Sequence, residues 1–363
     1  MILKPRLIIT AMISIAIIFM IYYPVSILSD SNRYSPLVGT SSKISEKKDD
    51  NTVKGIYALM KVNGEINPLV LSLPYIEGIS LRVRWSKLEP EYRKYEWEYI
   101  DKILEHVRGT GKEVMIRVLP GVSSPSWIYK EGAAKVEFAP HREKKRIKFG
   151  NQVTTPLMWD KKYLSLWNEF NDALSKRYSG NSSIVMVHMS GPTVYSAEMH
   201  LLKSKEGKKL LGDAGYSRDK VVNAWIAVID NYSKKFQGIK LSLNIALPLK
   251  KDGTLEEILN YAASKLGTRL SVQGNWLKAK TASGFLPYRL MSDLNETNKE
   301  VEIGFQMAWS SKNNSANQGA LEDAVKKGTD INAKYFEIYQ ADLLDAGNKE
   351  YLLKLNNKLV SSN

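Results

Sequence analysis

The chain of 363 residues contains no cysteine and only four histidines. The first absence excludes a disulfide framework, a thiolate nucleophile and any Cys-based metal site. The second leaves His106, His141, His188 and His200 in no H-E-x-x-H or related spacing, so neither a metal nor another cofactor is expected. A dinucleotide Gly fingerprint is also missing after the first strand. No helix-turn-helix or other recognition motif accompanies the net charge of +14, which argues against nucleic acid as a partner. Carboxylate and amide chemistry is what the sequence supplies well.

Hydrophobic residues make up 44% of the chain and aromatics 10%, which excludes a largely disordered protein. Eight tryptophans are more than packing alone usually demands, and tryptophan is a residue on which sugars stack. The stretch Leu7–Tyr23 is uncharged and follows Lys4 and Arg6, the asymmetry of a segment that leaves its N-terminus inside. It exceeds the usual apolar core of a signal peptide, about 7–15 residues, and no clean small-x-small cleavage site follows. The expected organisation is a signal-anchor or transmembrane segment over 1–28, a polar linker over 29–50 and one domain over 51–363. That domain would lie outside the cytoplasm, tethered to the cell membrane, or be secreted if the segment is cleaved.

Strand-like and helix-like segments alternate from about residue 51. Eight strands are expected: Lys54–Met60, Gly78–Trp85, Glu113–Pro120, Ile184–Ser190, Lys240–Leu247, Arg269–Asn275, Val301–Trp309 and Lys334–Ala341. Between them, amphipathic spacings such as Trp97, Ile100, Ile103, Leu104 and Val107 mark helices. This α/β series predicts a (β/α)8 TIM barrel. Buried parallel strands usually read as near-continuous apolar runs. Here the runs alternate, with Arg82 and Arg84 interleaved with Leu81 and Val83, Arg117 between Ile116 and Val118, and Glu337 between Phe336 and Ile338. Successive side chains of a strand face opposite ways, so each strand presents an apolar outer face and a polar face to the barrel interior. The longest loops follow the third and fourth strands, over Gly121–Asp160 and Gly191–Tyr216, and hold the basic clusters Arg142–Lys148 and Lys203–Lys209. Those clusters suggest a basic rim and an anionic ligand, against the alternative of ordinary solvated loops.

The run Trp85-Ser86-Lys87-Leu88-Glu89-Pro90, followed by Tyr95, Trp97 and Ile100-Asp101, resembles the W-x-x-L-E-P…Y-x-(F/W)-x-x-(I/L)-D pattern of clan-A glycoside hydrolases, in particular the family-42 β-galactosidases. Ser124-Pro125-Ser126-Trp127 is similar to the P-x-W that follows their third strand, and the specific part of the likeness spans Gly78–Tyr129. The resemblance implies an O-glycosyl hydrolase with one carboxylate after the fourth strand and a nucleophilic carboxylate at the end of the seventh. The chain departs at both places. Ser190-Gly191 stands where the clan has Asn-Glu, and Gln306 stands where it has the nucleophilic Glu.

The candidates left are Glu198, in the loop after the fourth strand, as general acid, and Glu337, on the eighth, as nucleophile or base. Each has a plainer reading: Glu198 as an ordinary loop residue, and Glu337 as a buried charge neutralised by Arg82, Arg84 or Arg117. Arg84, His188, Gln273, Asn275, Gln306 and Tyr339 are expected to line a sugar site, with Trp127 and Trp309 supplying stacking faces. His188 has the alternative of a merely hydrogen-bonded interior residue. The expected function is hydrolysis of an extracytoplasmic oligo- or polysaccharide, anionic if the basic rim contacts it. The alternative is a catalytically silent glycan-binding barrel.

Overall fold

The computed structural model describes residues 52–139, 152–249 and 252–362. The expected anchor and linker, His141 and the cluster Arg142–Lys148 lie outside these residues. Among the described residues no helix is long and apolar enough to cross a membrane.

Alternation in the sequence becomes a closed barrel. Its strands are β1 (Gly55–Leu59), β2 (Gly78–Arg84), β3 (Glu113–Leu119), β6 (Ile184–Met189), β7 (Lys240–Ile245), β8 (Leu270–Leu277), β9 (Glu302–Met307) and β10 (Tyr335–Tyr339). All neighbours pair in parallel, and β10 returns to β1 with Gly55 opposite Tyr335 and Tyr57 opposite Glu337. The outward residues Ile79, Leu81 and Val83 of β2, and Val114, Ile116 and Val118 of β3, are buried under helices. Each of the eight expected strands forms, and the amphipathic spacing of Ile100, Ile103, Leu104 and Val107 falls in a helix, Glu98–Val107.

The interior is layered. At the bottom, Lys240 and Glu302 pair at 2.5 Å, with Lys240 Nζ also donating to the Thr268 carbonyl at 2.7 Å. Above them Tyr57, Met115, Met186 and Tyr335 form a small apolar plug. Gly304 is required here, because a Cβ at that position would lie 2.0 Å from the Tyr335 ring.

The loop after β3, expected to lack regular structure, contains an antiparallel hairpin of β4 (Lys135–Phe138) and β5 (Val153–Pro156). Asp160 ties it to the next helix, Lys161–Tyr178, by accepting from the backbone of both Tyr163 (2.8 Å) and Ala134 (3.2 Å), the former as a helix cap. Phe138 meets Tyr195 edge-on at 5.9 Å, so the hairpin packs on the loop after β6.

The W-x-x-L-E-P segment is a joint of the fold. Trp85 is fully buried and donates its indole N–H to Glu89 Oε2 at 2.8 Å. Glu89 Oε1 accepts from Arg93 N at 2.9 Å, and the Glu89 carbonyl accepts the Trp127 indole N–H at 2.9 Å. Burial outweighs these donors and raises the Glu89 carboxyl to about 7. A carboxyl with a raised folded-state pKa stabilises most below its unfolded value and loses that contribution as pH rises through the folded one. Stability should therefore fall by up to about 3 kcal/mol between roughly pH 4.5 and 7. Urea unfolding across this range should show a flatter profile for Glu89→Gln, even though the amide sacrifices one acceptor; an unchanged slope would assign the pH dependence elsewhere.

Candidate active site

The polar inward faces meet in the upper half of the barrel. Arg117 of β3, 1% exposed, directs Nη2 to both oxygens of Glu337 at 2.6 and 2.8 Å, and Nη1 to Gln306 Oε1 at 2.6 Å. Ser80 of β2 donates to Glu337 Oε1 at 2.8 Å. His188 Nε2 stands 3.3 Å from the same oxygen, and its Nδ1 meets the Asn244 side chain at 3.1 Å. Glu337 is completely buried. Burial alone would raise its pKa, but the Arg117 guanidinium and the donors from His188 and Ser80 hold it down to about 2. Desolvation and the neighbouring Arg117 lower His188 to about 4, which leaves the ring neutral at pH 7. Of the three arginines that could have neutralised Glu337, Arg117 forms the ion pair. Arg82 donates its Nε to the Met60 carbonyl at 2.8 Å and hydrogen-bonds Tyr339. Arg84 is exposed, with its backbone N–H held by Asn63 Oδ1 at 2.9 Å.

Glu198 belongs to a different set of contacts. Its loop leaves β6 through Ser190 and Gly191, whose carbonyls accept from Trp167 (2.6 Å) and Tyr163 (2.7 Å). Gly121 has φ +65, and a Cβ there would lie 2.4 Å from the Val194 carbonyl oxygen; this close approach clamps the loops after β3 and β6 together. At the loop's tip Ser196 Oγ donates to Glu198 Oε2 at 2.8 Å, and His200 Nε2 lies 3.3 Å from that oxygen. The Glu198 side chain is 13% exposed, so a cleft of low polarity does not enclose it fully.

The other expected ligands separate by burial. Gln273 is fully buried, bonded to Asn275 Oδ1 at 2.7 Å and to the Tyr335 hydroxyl at 2.9 Å. Asn275 and Tyr339 are half-buried at the ends of their strands. Trp127, expected to offer a stacking face, is instead 8% exposed, with Trp85 at 5.8 Å and Tyr92 at 5.0 Å between ring centroids; protein rings already occupy its surroundings. Trp309 is 37% exposed. Its loop is braced from inside the protein. Asp342, fully buried, accepts from Ser310 Oγ (3.0 Å), Ser311 N (3.1 Å) and Lys312 N (2.8 Å), while the Gln318 side chain accepts from Trp309 N at 2.9 Å. Ser80 was missed as a site residue, although it shares the face of Arg82 two positions away. Among the described residues no group of three or more His, Asp or Glu side chains is arranged to hold a metal ion.

A β-galactosidase family model of glycoside hydrolases, family 42, matches residues 77–208, less than half of the chain. Among solved structures, the β-galactosidase of the psychrophilic Marinomonas ef1 superposes with a TM-score of 0.53 at 11% identity, covering 84% of this chain and 59% of that one. This chain thus spans under two thirds of that enzyme's length. Endo-glycoceramidase II from Rhodococcus sp. aligns with a TM-score of 0.49 at 12% identity, over 82% of this chain and 76% of that one. No curated protein matches the sequence. The resemblance to family 42 and the closed parallel barrel agree on a glycoside hydrolase-like (β/α)8 fold.

Removing either partner of the central pair leaves an uncompensated buried charge. Arg117→Met and Glu337→Gln should each lower unfolding stability by about 3–5 kcal/mol, and the double variant should lose much less than the sum. Because the folded-state pKa of Glu337 is depressed to about 2, its contribution is present above the unfolded value of about 4.5 and is lost as pH falls toward 2. The double variant should lack that part of the acid transition in urea titrations; additive losses with an unchanged acid slope would show that the pair does not act as a unit.

Proposed function

We propose that this chain recognises a glycan at the C-terminal mouth of its barrel, with Glu337 serving as the counter-ion of Arg117 rather than as a nucleophile. The observation that carries the reading is the complete burial of Glu337, with both carboxylate oxygens accepting from Nη2 of Arg117. A glycosyl nucleophile needs an open approach to the anomeric carbon, and both oxygens here are already engaged. Gln306 fits the same account. One buried cation balances one buried carboxylate, and a second anion beside Arg117 would be uncompensated. The barrel nevertheless offers what a sugar uses. Asn275 and Tyr339 stand at strand ends on the face where such barrels bind their ligands, and Trp309, two residues beyond the end of β9, is exposed on the loop that follows it.

The fold and the family match favour a second reading, hydrolysis with Glu198 as general acid and Glu337 as nucleophile or base. An anionic ligand was expected from the basic clusters. Within Lys203–Lys209, Lys209 pairs with Asp213 at 2.6 Å, while Lys203, which donates to the Leu247 carbonyl at 2.5 Å, Lys205 and Lys208 are exposed and carry the charge argument. The proposed location outside the cytoplasm is supported by the apolar segment Leu7–Tyr23 alone.

A glycan screen with the full chain, scoring binding and product release together, tests both readings. The expected result is saccharide binding without product, weakened at least about tenfold by Trp309→Ala through loss of the stacking face. Product release abolished by both Glu198→Gln and Glu337→Gln would replace the binding reading with hydrolysis. Uronic-acid glycans bound more tightly than neutral ones, with an advantage that salt removes, would establish an anionic ligand.

A further inference from the structure

A second recess lies outside the barrel interior, between the loop after β1 and the helix Glu98–Val107 that follows β2. It has a volume of about 910 Å3, and its walls include Tyr95, Trp97, Tyr99, Glu65, Lys102 and His106. A shallower depression of about 590 Å3 shares Tyr95, Trp97, Glu98 and Lys102 and continues the recess toward Arg108 and Arg177. Together they form a groove along one flank.

Its floor is aromatic and rigid. The Tyr95 and Trp97 rings are stacked, with centroids 5.1 Å apart and planes inclined by 15°. Phe170 backs both rings, at 6.4 and 5.9 Å, and Tyr178 meets Trp97 edge-on at 5.7 Å. Tyr99 is fixed by its hydroxyl, which donates to the Gly64 carbonyl at 2.7 Å, and Lys87 Nζ sits 4.1 Å from its ring centre. All three aromatic residues are only half-buried. The walls are polar: Glu65 and Glu96 are exposed, and Lys102 pairs with Glu98 at 2.7 Å.

Flat rings bordered by acceptors and donors match a ligand with C–H faces and a hydroxyl rim, and the volume lies in the range of small-molecule sites. A purely apolar ligand would desolvate the carboxylates without compensation. The carboxylates Glu65, Glu96 and Glu98 are offset in part by Lys87 and Lys102, so the recess presents no excess of positive charge to select an anion. Asn63 lines the recess and also holds the backbone N–H of Arg84 at the end of β2, which places the start of the groove at the barrel rim.

We propose that this groove binds a neutral oligosaccharide segment lying outside the barrel mouth, so that the ligand is a chain of several sugars. The proposal rests on the glycan-recognition reading above and adds its length requirement.

The test is calorimetric titration of the full chain with β-1,4-galactobiose, β-1,4-galactohexaose and a hexameric galacturonate. Tyr95→Ala removes one plate of the floor. Lys102→Trp fills the groove from a largely exposed position and leaves the aromatic stack in place. Both variants should lose at least tenfold in affinity for the neutral hexamer while binding the dimer as before, and Trp309→Ala should weaken both sugars. A correctly folded Lys102→Trp that binds the hexamer like the parent overturns the groove alone, and so does a galacturonate hexamer that loses affinity equally in both groove variants. Failure of all three sugars to bind the parent chain overturns the glycan reading, and the groove proposal with it.

Discussion

The interior of this barrel depends on one ion pair. Arg117 and Glu337 are both out of contact with solvent, and burying either charge alone is costly enough that neither residue could be kept without the other. Once present, the pair organises its neighbours. Direct contacts to Arg117 or Glu337 come from Ser80 on β2, His188 on β6 and Gln306 on β9, and His188 passes the network on to Asn244 of β7. Six of the eight barrel strands are thereby joined through side chains as well as through their ladders. An aliphatic layer would fill the same volume with fewer requirements. The polar layer instead fixes which side chain faces which: the Arg117 amino groups face Glu337 and Gln306, and Ser80 faces Glu337, although Arg117 Nε itself has no acceptor.

Much of this was legible in the sequence, for a physical reason. A side-chain period of two assigns every strand residue to a face, and polar residues recurring on one face of seven of the eight strands leave the barrel interior as the common destination. The expected strands accordingly overlap the eight strands of the barrel, Lys54–Met60 containing Gly55–Leu59 and Glu113–Pro120 containing Glu113–Leu119. Height along the barrel axis was not legible. Arg82, Arg84 and Arg117 share the alternation; Arg82 and Arg117 are partners in register across β2 and β3, yet Arg117 reaches Glu337 while Arg82 turns to the Met60 carbonyl, and Arg84 has reached the rim. The hairpin of β4 and β5 escaped because its strands have four residues each, too few for a period to declare itself. Trp127 was misjudged because sequence places it at a strand end without revealing that Glu89, Trp85 and Tyr92 would enclose it.

The W-x-x-L-E-P segment carries the resemblance to family 42, and its observed role is structural. Trp85, Glu89 and Trp127 are bonded to one another in the buried junction between β2 and the loop after β3. A motif of this kind can persist while catalytic positions change, since what it maintains is packing. The strand ends answer to different constraints. The carbonyls of Ser190 and Gly191 are taken by Trp167 and Tyr163, and Gln306 is taken by Arg117, so the positions that would carry two carboxylates in the resembling enzymes carry groups already committed to the protein. Likeness in the motif therefore argues for shared architecture, and chemistry has to be argued from the strand ends.

The treatment of Trp309 supplies the strongest argument that the mouth recognises something. Asp342 is fully buried, and desolvation raises its carboxyl despite three donors, so this position is an unfavourable one for a charge. Gln318 is likewise fully buried and bonds the Leu277 carbonyl and the Trp309 backbone. Two buried polar side chains are thus devoted to a surface loop whose most prominent side chain is an indole left 37% open to water. A partly exposed indole on a braced loop at the C-terminal end of a barrel strand reduces the ordering needed when a planar-faced ligand arrives.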